Sequence, residues 1–316
     1  MMTLKEKIEQ LKRERHAVIL AHYYTEGDVQ DVADFVGDSL ALSQKAATTD
    51  AEVILFAGVH FMGETAKILS PDKTVLMPDM SAGCSLADSC RADEFAAFIA
   101  AHPGHTVISY VNTTAEVKAL TDIVCTSSNA VQIVQSLPED EPIIFGPDRN
   151  LGNYIKNITG RQNMLIWDGA CHVHEEFSLE KILELKQAHP TAKVLTHPEC
   201  KRPIVLISDY VGSTAELLKF ATDDTTTDTY IVVTEPGVLH QMKKSAPAKT
   251  FIPAPPIDST CGCNNCSYMK LVTLQKMADA LERLEPQIVI PEDTRVRAEK
   301  SIRRMLDISK KLGLIK

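Results

Sequence analysis

The chain has 316 residues, 44% hydrophobic and 24% charged, with a formal net charge of −9. That length buries a large apolar core, and the acidic balance excludes the basic stripe of a nucleic-acid footprint. No apolar run approaches the roughly 20 residues of a membrane span, so neither nucleic acid nor membrane is an expected partner. The charged amphipathic start, MMTLKEKIEQLKRER, has no apolar centre and is not expected to be a signal peptide. A soluble, cytoplasmic protein is the expectation. Its eight cysteines then read as metal or catalytic thiols rather than disulfides.

In chain order, an amphipathic helix over 5–15 leads into the apolar strand AVILAHYY at 17–24. Helical stretches follow, then a second strand, VILFAG at 53–58, another helix, and a third strand, TVLMPDM at 74–80, with Cys84 just beyond. The grammar restarts with a helix over 93–101 and strands TVISYVN at 106–112, PIIFGPD at 142–148 and NMLIWDG at 163–169, before Cys171. It restarts again with a helix over 179–188 and strands KVLTHPE at 193–199, YIVVTE at 230–235 and TFIPAP at 250–255, before Cys266. A helix over 271–284, a strand QIVIP at 287–291 and a final helix read as a capping element.

The repeat can be superimposed by subtraction. His22 to Tyr110 is 88 residues and Tyr110 to His197 is 87; Ser39, Ser127 and Thr214 are separated by the same steps. Cys84 to Cys171 is 87 and Cys171 to Cys266 is 95, lengthened by the loop PAPPIDSTCGCNN. Units over 1–86, 87–173 and 174–268, with a cap over 269–316, are expected. Alternating strands and helices predict three pseudo-three-fold-related αβα domains with parallel sheets. Ligands sit beyond the carboxyl ends of such strands, where this chain places His22, Tyr23 and Tyr24; Tyr110, Val111 and Asn112; and His197, Pro198 and Glu199. A three-fold arrangement turns these sets, and one cysteine per unit, toward a shared cavity.

A lone cysteine is ordinarily a small buried hydrophobe, but three at equivalent places argue for a common task. Three thiolates suit three irons of a [4Fe–4S] cubane, leaving a fourth iron open as a Lewis acid. Ser39, Ser127 and Thr214 begin apolar-periodic helices; they read both as helix N-caps and as hydroxyls beside anion-binding helix starts. His102 and His189, in matching AHP turns, read as surface residues at helix ends. His60 is a candidate cavity residue, and Trp167 reads as core. The run DDTTTDT over 223–229 reads as a polar loop.

The motifs AHYY at 21–24, GDSL at 37–40, AGCSLAD at 82–88, SYVNTTAEVKA at 109–119, CTSSNA at 125–130, CHVHE at 171–175, THPEC at 196–200 and DYVGST at 209–214 resemble the quinolinate synthase family. The resemblance implies a pseudo-three-fold fold around a central [4Fe–4S] cluster held by Cys84, Cys171 and Cys266. It implies condensation of iminosuccinate with dihydroxyacetone phosphate to quinolinate for NAD biosynthesis, with an L-aspartate oxidase or aspartate dehydrogenase supplying the imine. It further implies that His22, Ser39, Tyr110, Asn112, Ser127, His197, Glu199 and Thr214 bind substrate. Tyr24, His174, His197 and Glu199 are the implied acid–base residues. The family's third cysteine often stands in a CxxCxxC stretch followed by Pro, whereas CGCNNC here precedes Ser267; Cys263 is therefore the alternative ligand, with Cys261 and Cys263 otherwise lining the loop or forming a transient disulfide. The competing classes are another [4Fe–4S] Lewis-acid dehydratase, a redox iron–sulfur protein, and a zinc module built on CGCNNC.

Overall fold

The computed structural model describes residues 2–258, 260, 262 and 264–315. Three four-stranded sheets form its frame, and within each sheet every strand pairing is parallel. The first contains β1 (Ala17–His22), β2 (Phe35–Gly37), β3 (Val53–Ala57) and β4 (Thr74–Leu76), in the order β2-β1-β3-β4. The second contains β5 (Thr106–Tyr110), β6 (Ile123–Cys125), β7 (Ile143–Gly146) and β8 (Met164–Ile166), in the order β6-β5-β7-β8. The third contains β9 (Lys193–Thr196), β10 (Tyr210–Val211), β11 (Thr229–Val233) and β12 (Thr250–Pro253), in the order β10-β9-β11-β12. The three sheets share one topology, as an α/β fold of repeated units requires. Central strands such as β3 are buried along their whole length, which is why they read as unbroken apolar runs rather than as an alternating pattern.

Each sheet has one strand more than the sequence pattern suggests. β2, β6 and β10 are only two or three residues long, too short for any periodicity, and fall where helical stretches were expected. One aspartate per unit fastens them. Asp34, Asp122 and Asp209 donate their backbone N–H to the carbonyls of Ile19, Val107 and Val194. Their carboxylates accept the N–H of the same three residues in return, at 2.9, 2.8 and 2.7 Å. The aspartates stand 88 and 87 residues apart, so the repeat extends to individual side-chain bonds.

The C-terminal segment departs from the expected helix–strand–helix cap. The helix Leu274–Arg283 packs Met277 and Leu281 with Ile8 and Leu11 of the helix Leu4–Glu14. The helix Glu292–Lys311 packs Ala298, Ile302 and Met305 into a core shared by the first two sheets. Between them QIVIP is not a strand: Gln287 alone forms an antiparallel bridge, to Leu76. Prolines 286 and 291 bracket it without N–H donors, and Val289 is 84% exposed. Among the described residues no helix is long and apolar enough to cross a membrane.

Candidate active site

The first strand of each sheet delivers its carboxyl end to one cavity of about 640 Å³, mouth included. β1 ends at His22, β5 ends at Tyr110, and His197 directly follows β9. All three are buried. Cys84, Cys171 and Cys266, one from each unit, line the same cavity.

Each of these cysteines precedes a short helix. Cys84 is the N-cap of Ser85–Asp88, Cys171 is the N-cap of His172–Glu175, and Cys266 stands just ahead of the 3₁₀ turn Met269–Leu271. Burial pushes the Cys84 thiol up to about 12 and the Cys266 thiol up to about 11, and drives the Cys171 thiol well above its ordinary value. Neighbouring thiols raise Cys84 and Cys171 further and the Glu235 carboxylate raises Cys266, while backbone N–H groups of Ala87, His174 and Met269 act in the opposite direction. Three free thiols that oppose one another's ionisation, each facing N–H donors, fit a thiophilic cation that takes all three as thiolates. Cys90, Cys125 and Cys200 lie in apolar cores instead. Cys261 and Cys263 lie outside the described residues.

The polar residues form one connected chain. Glu199, 3% exposed, accepts a 2.6 Å hydrogen bond from the Tyr110 hydroxyl on Oε1. His174 Nδ1 lies 3.1 Å from Oε2, outside hydrogen-bonding alignment, as catalytic contacts often are before substrate binds. The other ring nitrogen, Nε2, is 3.0 Å from Thr234 Oγ1. Thr234 Oγ1 in turn shares a 2.7 Å bond with the Tyr24 hydroxyl, which makes a second 2.7 Å bond with Thr214. Burial raises the Glu199 pKa, but His174 and His197 beside it prevail and hold it below the usual carboxylate range, so it is ionised. Burial, reinforced by the Glu199 charge, pushes Tyr24 and Tyr110 well up, so both keep their protons.

His22 and His197 are chemically paired as well as equivalent in the repeat. Burial pushes each down to about 3 against the pull of Glu199, so both imidazoles are neutral near pH 7. His22 Nδ1 accepts the Tyr24 backbone N–H at 3.2 Å, and His197 Nδ1 accepts the Glu199 backbone N–H at 3.3 Å. A neutral ring with Nδ1 occupied as acceptor carries its proton on Nε2. Each therefore offers one N–H donor.

Ser39, Ser127 and Thr214 all line the cavity, as does Asn112, but the capping reading is corrected. Asp38 caps the helix Ser39–Thr48, and Ser213, in a capping box with Glu216, caps Thr214–Asp223. Ser127 lies ahead of Asn129, which flanks the helix Ala130–Gln135. The side chain one residue earlier serves the helix amides, so the hydroxyls of Ser39 and Thr214 are left to the cavity. Asn112 Oδ1 is buried without a hydrogen-bond partner, an acceptor facing a site that a ligand donor would satisfy. His60 does not line this cavity; its ring stands beside Glu64 at 3.7 Å. His102 and His189 end the helices Ala92–Ala101 and Leu179–Ala188, and Trp167 packs against Phe95 and Phe98.

Cys171, His174 and Glu199 bring one ligand atom each within 4.8 Å of one another, a group able to hold a metal ion. Sequence reasoning missed Thr234, buried at the end of β11, and its neighbour Glu235, which also lines the cavity. The signal lies in the sequence: both residues directly follow the apolar strand β11, at a carboxyl end like those of β1, β5 and β9.

The family model for Quinolinate synthetase A protein matches residues 6–307. The quinolinate synthase of Thermosynechococcus vestitus is 59% identical, over 98% of this chain and 96% of its own. Those of Synechococcus sp. and Microcystis aeruginosa are each 57% identical, over 97% and 96% of this chain and 95% and 94% of theirs.

Proposed function

The chain belongs to the quinolinate synthetase A family, and from that premise we propose that it is a quinolinate synthase of NAD biosynthesis, joining iminosuccinate to dihydroxyacetone phosphate and releasing quinolinate, phosphate and water. Cys84, Cys171 and Cys266 would hold three irons of a [4Fe–4S] cluster. When bound, that cluster supplies an open Lewis-acid position for a substrate carboxylate, nitrogen or hydroxyl.

The protein's own groups divide into anchors and proton carriers. Ser39, Ser127 and Thr214 offer hydroxyls, and His22 and His197 offer Nε2–H donors, to the two carboxylates of iminosuccinate; none brings a negative charge. Tyr110 and Asn112 border the same space. Glu199, an ionised carboxylate, repels a dianionic substrate and so acts by accepting protons. Protonated Tyr24 is the matching donor. Thr234 and His174 join it to Glu199 through contacts of 2.7, 3.0 and 3.1 Å, so a proton given up at one end of the reacting molecule can be returned at the other. Burial of Glu199, His174 and Thr234 limits the water that competes for these protons.

The reading takes 1–86, 87–173 and 174–268 as the three units and 269–316 as the cap. It assigns the protein to the cytoplasm, with an L-aspartate oxidase or aspartate dehydrogenase as supplier of the imine. The observation that carries it is the meeting, in one cavity, of a free thiol from each unit with the Glu199–His174–Thr234–Tyr24 chain. Anaerobic reconstitution with iron and sulfide, followed by a quinolinate assay with both substrates, tests it. Zinc without acid-labile sulfide in the active protein, or no quinolinate from a fully loaded one, would overturn it.

A further inference from the structure

Two of the three cysteines are held through their backbone amides by a buried acid. Asp148 Oδ2 accepts the Cys171 N–H at 3.3 Å while Oδ1 accepts the Leu151 N–H at 2.7 Å. At the equivalent place, 87 residues on, Glu235 Oε1 accepts the Cys266 N–H at 3.3 Å while Oε2 accepts the Gly237 N–H at 2.7 Å. Both acids are fully buried. The first unit has His60 at this place, and the device is missing there.

The third unit adds something the second lacks. Lys270 Nζ lies 3.0 Å from Glu235 Oε1 and donates to the Tyr24 carbonyl at 2.8 Å. Its own backbone N–H donates to the Cys266 carbonyl at 3.2 Å. The contacts thus run in a closed ring from the Cys266 amide through Glu235 and Lys270 back to Cys266, with Tyr24 attached at the ammonium. Gly237 brings the end of β11 directly under Tyr24: a Cβ there would stand 2.8 Å from the Tyr24 Cα.

We propose that Glu235 and Lys270 are a positioning pair that fixes Cys266 and Tyr24 as one piece, so that the loop holding the third metal ligand and the proton-donating tyrosine move together or not at all. The inference rests on Cys266 being a cluster ligand. A carboxylate buried against the Cys266 ligand is tolerable only with a countercharge, and Lys270 touches it at 3.0 Å. Removing the lysine alone leaves that carboxylate buried and uncompensated, whereas neutralising both leaves no stranded charge. The two substitutions are therefore expected to be non-additive.

The test uses the reconstituted holoenzyme, following iron and sulfide per chain, the rate of iron loss to a chelator, kcat and KM. Lys270→Met is expected to lose iron about 10- to 100-fold faster than the unchanged protein, the scale of a lost partner behind a metal ligand. The double variant Glu235→Gln/Lys270→Met should lose it more slowly than Lys270→Met, while kcat stays low in both because Tyr24 has lost its tether. Additive losses, or wild-type iron retention in Lys270→Met, overturn the pairing. Should Lys270→Met fail to fold, a double variant that folds and holds iron supports the pair, and one that also fails overturns it. Failure of the unchanged protein to take up iron and sulfide overturns the cluster reading instead.

Discussion

Replacing Glu199 by Gln separates holding the substrate from moving its protons. The carboxylate meets the Tyr110 hydroxyl at 2.6 Å, His174 Nδ1 at 3.1 Å and His197 Nδ1 at 3.7 Å. Glutamine fits the same space and still accepts from Tyr110 through its carbonyl oxygen. It cannot take up a proton, and its amide N–H₂ replaces the acceptor facing His174. Loss of general acid–base catalysis lowers turnover by roughly 10²- to 10⁴-fold, and at ~1.36 kcal/mol per factor of ten the lower figure raises the barrier by ~2.7 kcal/mol. KM should hold or fall, because the variant no longer repels a dianion. Steady-state kinetics on anaerobically reconstituted protein, with iron counted in each sample, gives both quantities. Turnover within about threefold of the unchanged protein, with iron intact, would remove Glu199 from the proton chain. Loss of iron would instead indicate that the Cys171–His174–Glu199 group binds metal directly.

Serine in place of Cys84, Cys171 or Cys266 should each abolish the brown chromophore and activity, whereas serine at Cys90, Cys125 or Cys200 should leave the iron in place; metal analysis and the visible spectrum decide. Thr234→Val keeps shape but removes the hydroxyl between Tyr24 and His174, so kcat should fall about tenfold, the worth of one neutral hydrogen bond near 1.4 kcal/mol, with iron retained. Ser127→Ala should raise KM more than it lowers kcat, and the reverse pattern in steady-state kinetics would move Ser127 from anchoring to chemistry. Ser213→Ala should cost about 1 kcal/mol of stability through the lost capping box. Ser39→Ala should leave the melting temperature alone and raise KM, and equal losses of stability in the two would refute the division between cap and cavity residue.

The spacing of residues along the chain was enough to predict three units, the strand ends that face inward and the three recurring cysteines. The reason is local: an apolar strand buried on both faces, a helix start and a 3.8 Å step per residue are properties of short segments, so equal spacing carries equivalent groups to equivalent places. Local pattern misled where two neighbouring residues could do one job. Asp38 and Ser213 reach the first helix amides better than Ser39 and Thr214, and only the backbone course at each helix start shows which side chain is turned away. The QIVIP segment has the composition of a strand, yet pairing through Gln287 alone stops short of one. β2, β6 and β10 were invisible because two or three residues carry no period, although the aspartates that hold them recur at the repeat spacing. What tertiary structure alone decided is which atoms meet. Tyr24 reaches Thr234 across 210 residues of chain and Lys270 reaches Tyr24 across 246, and contacts between units depend on how three separately plausible sheets pack around one centre.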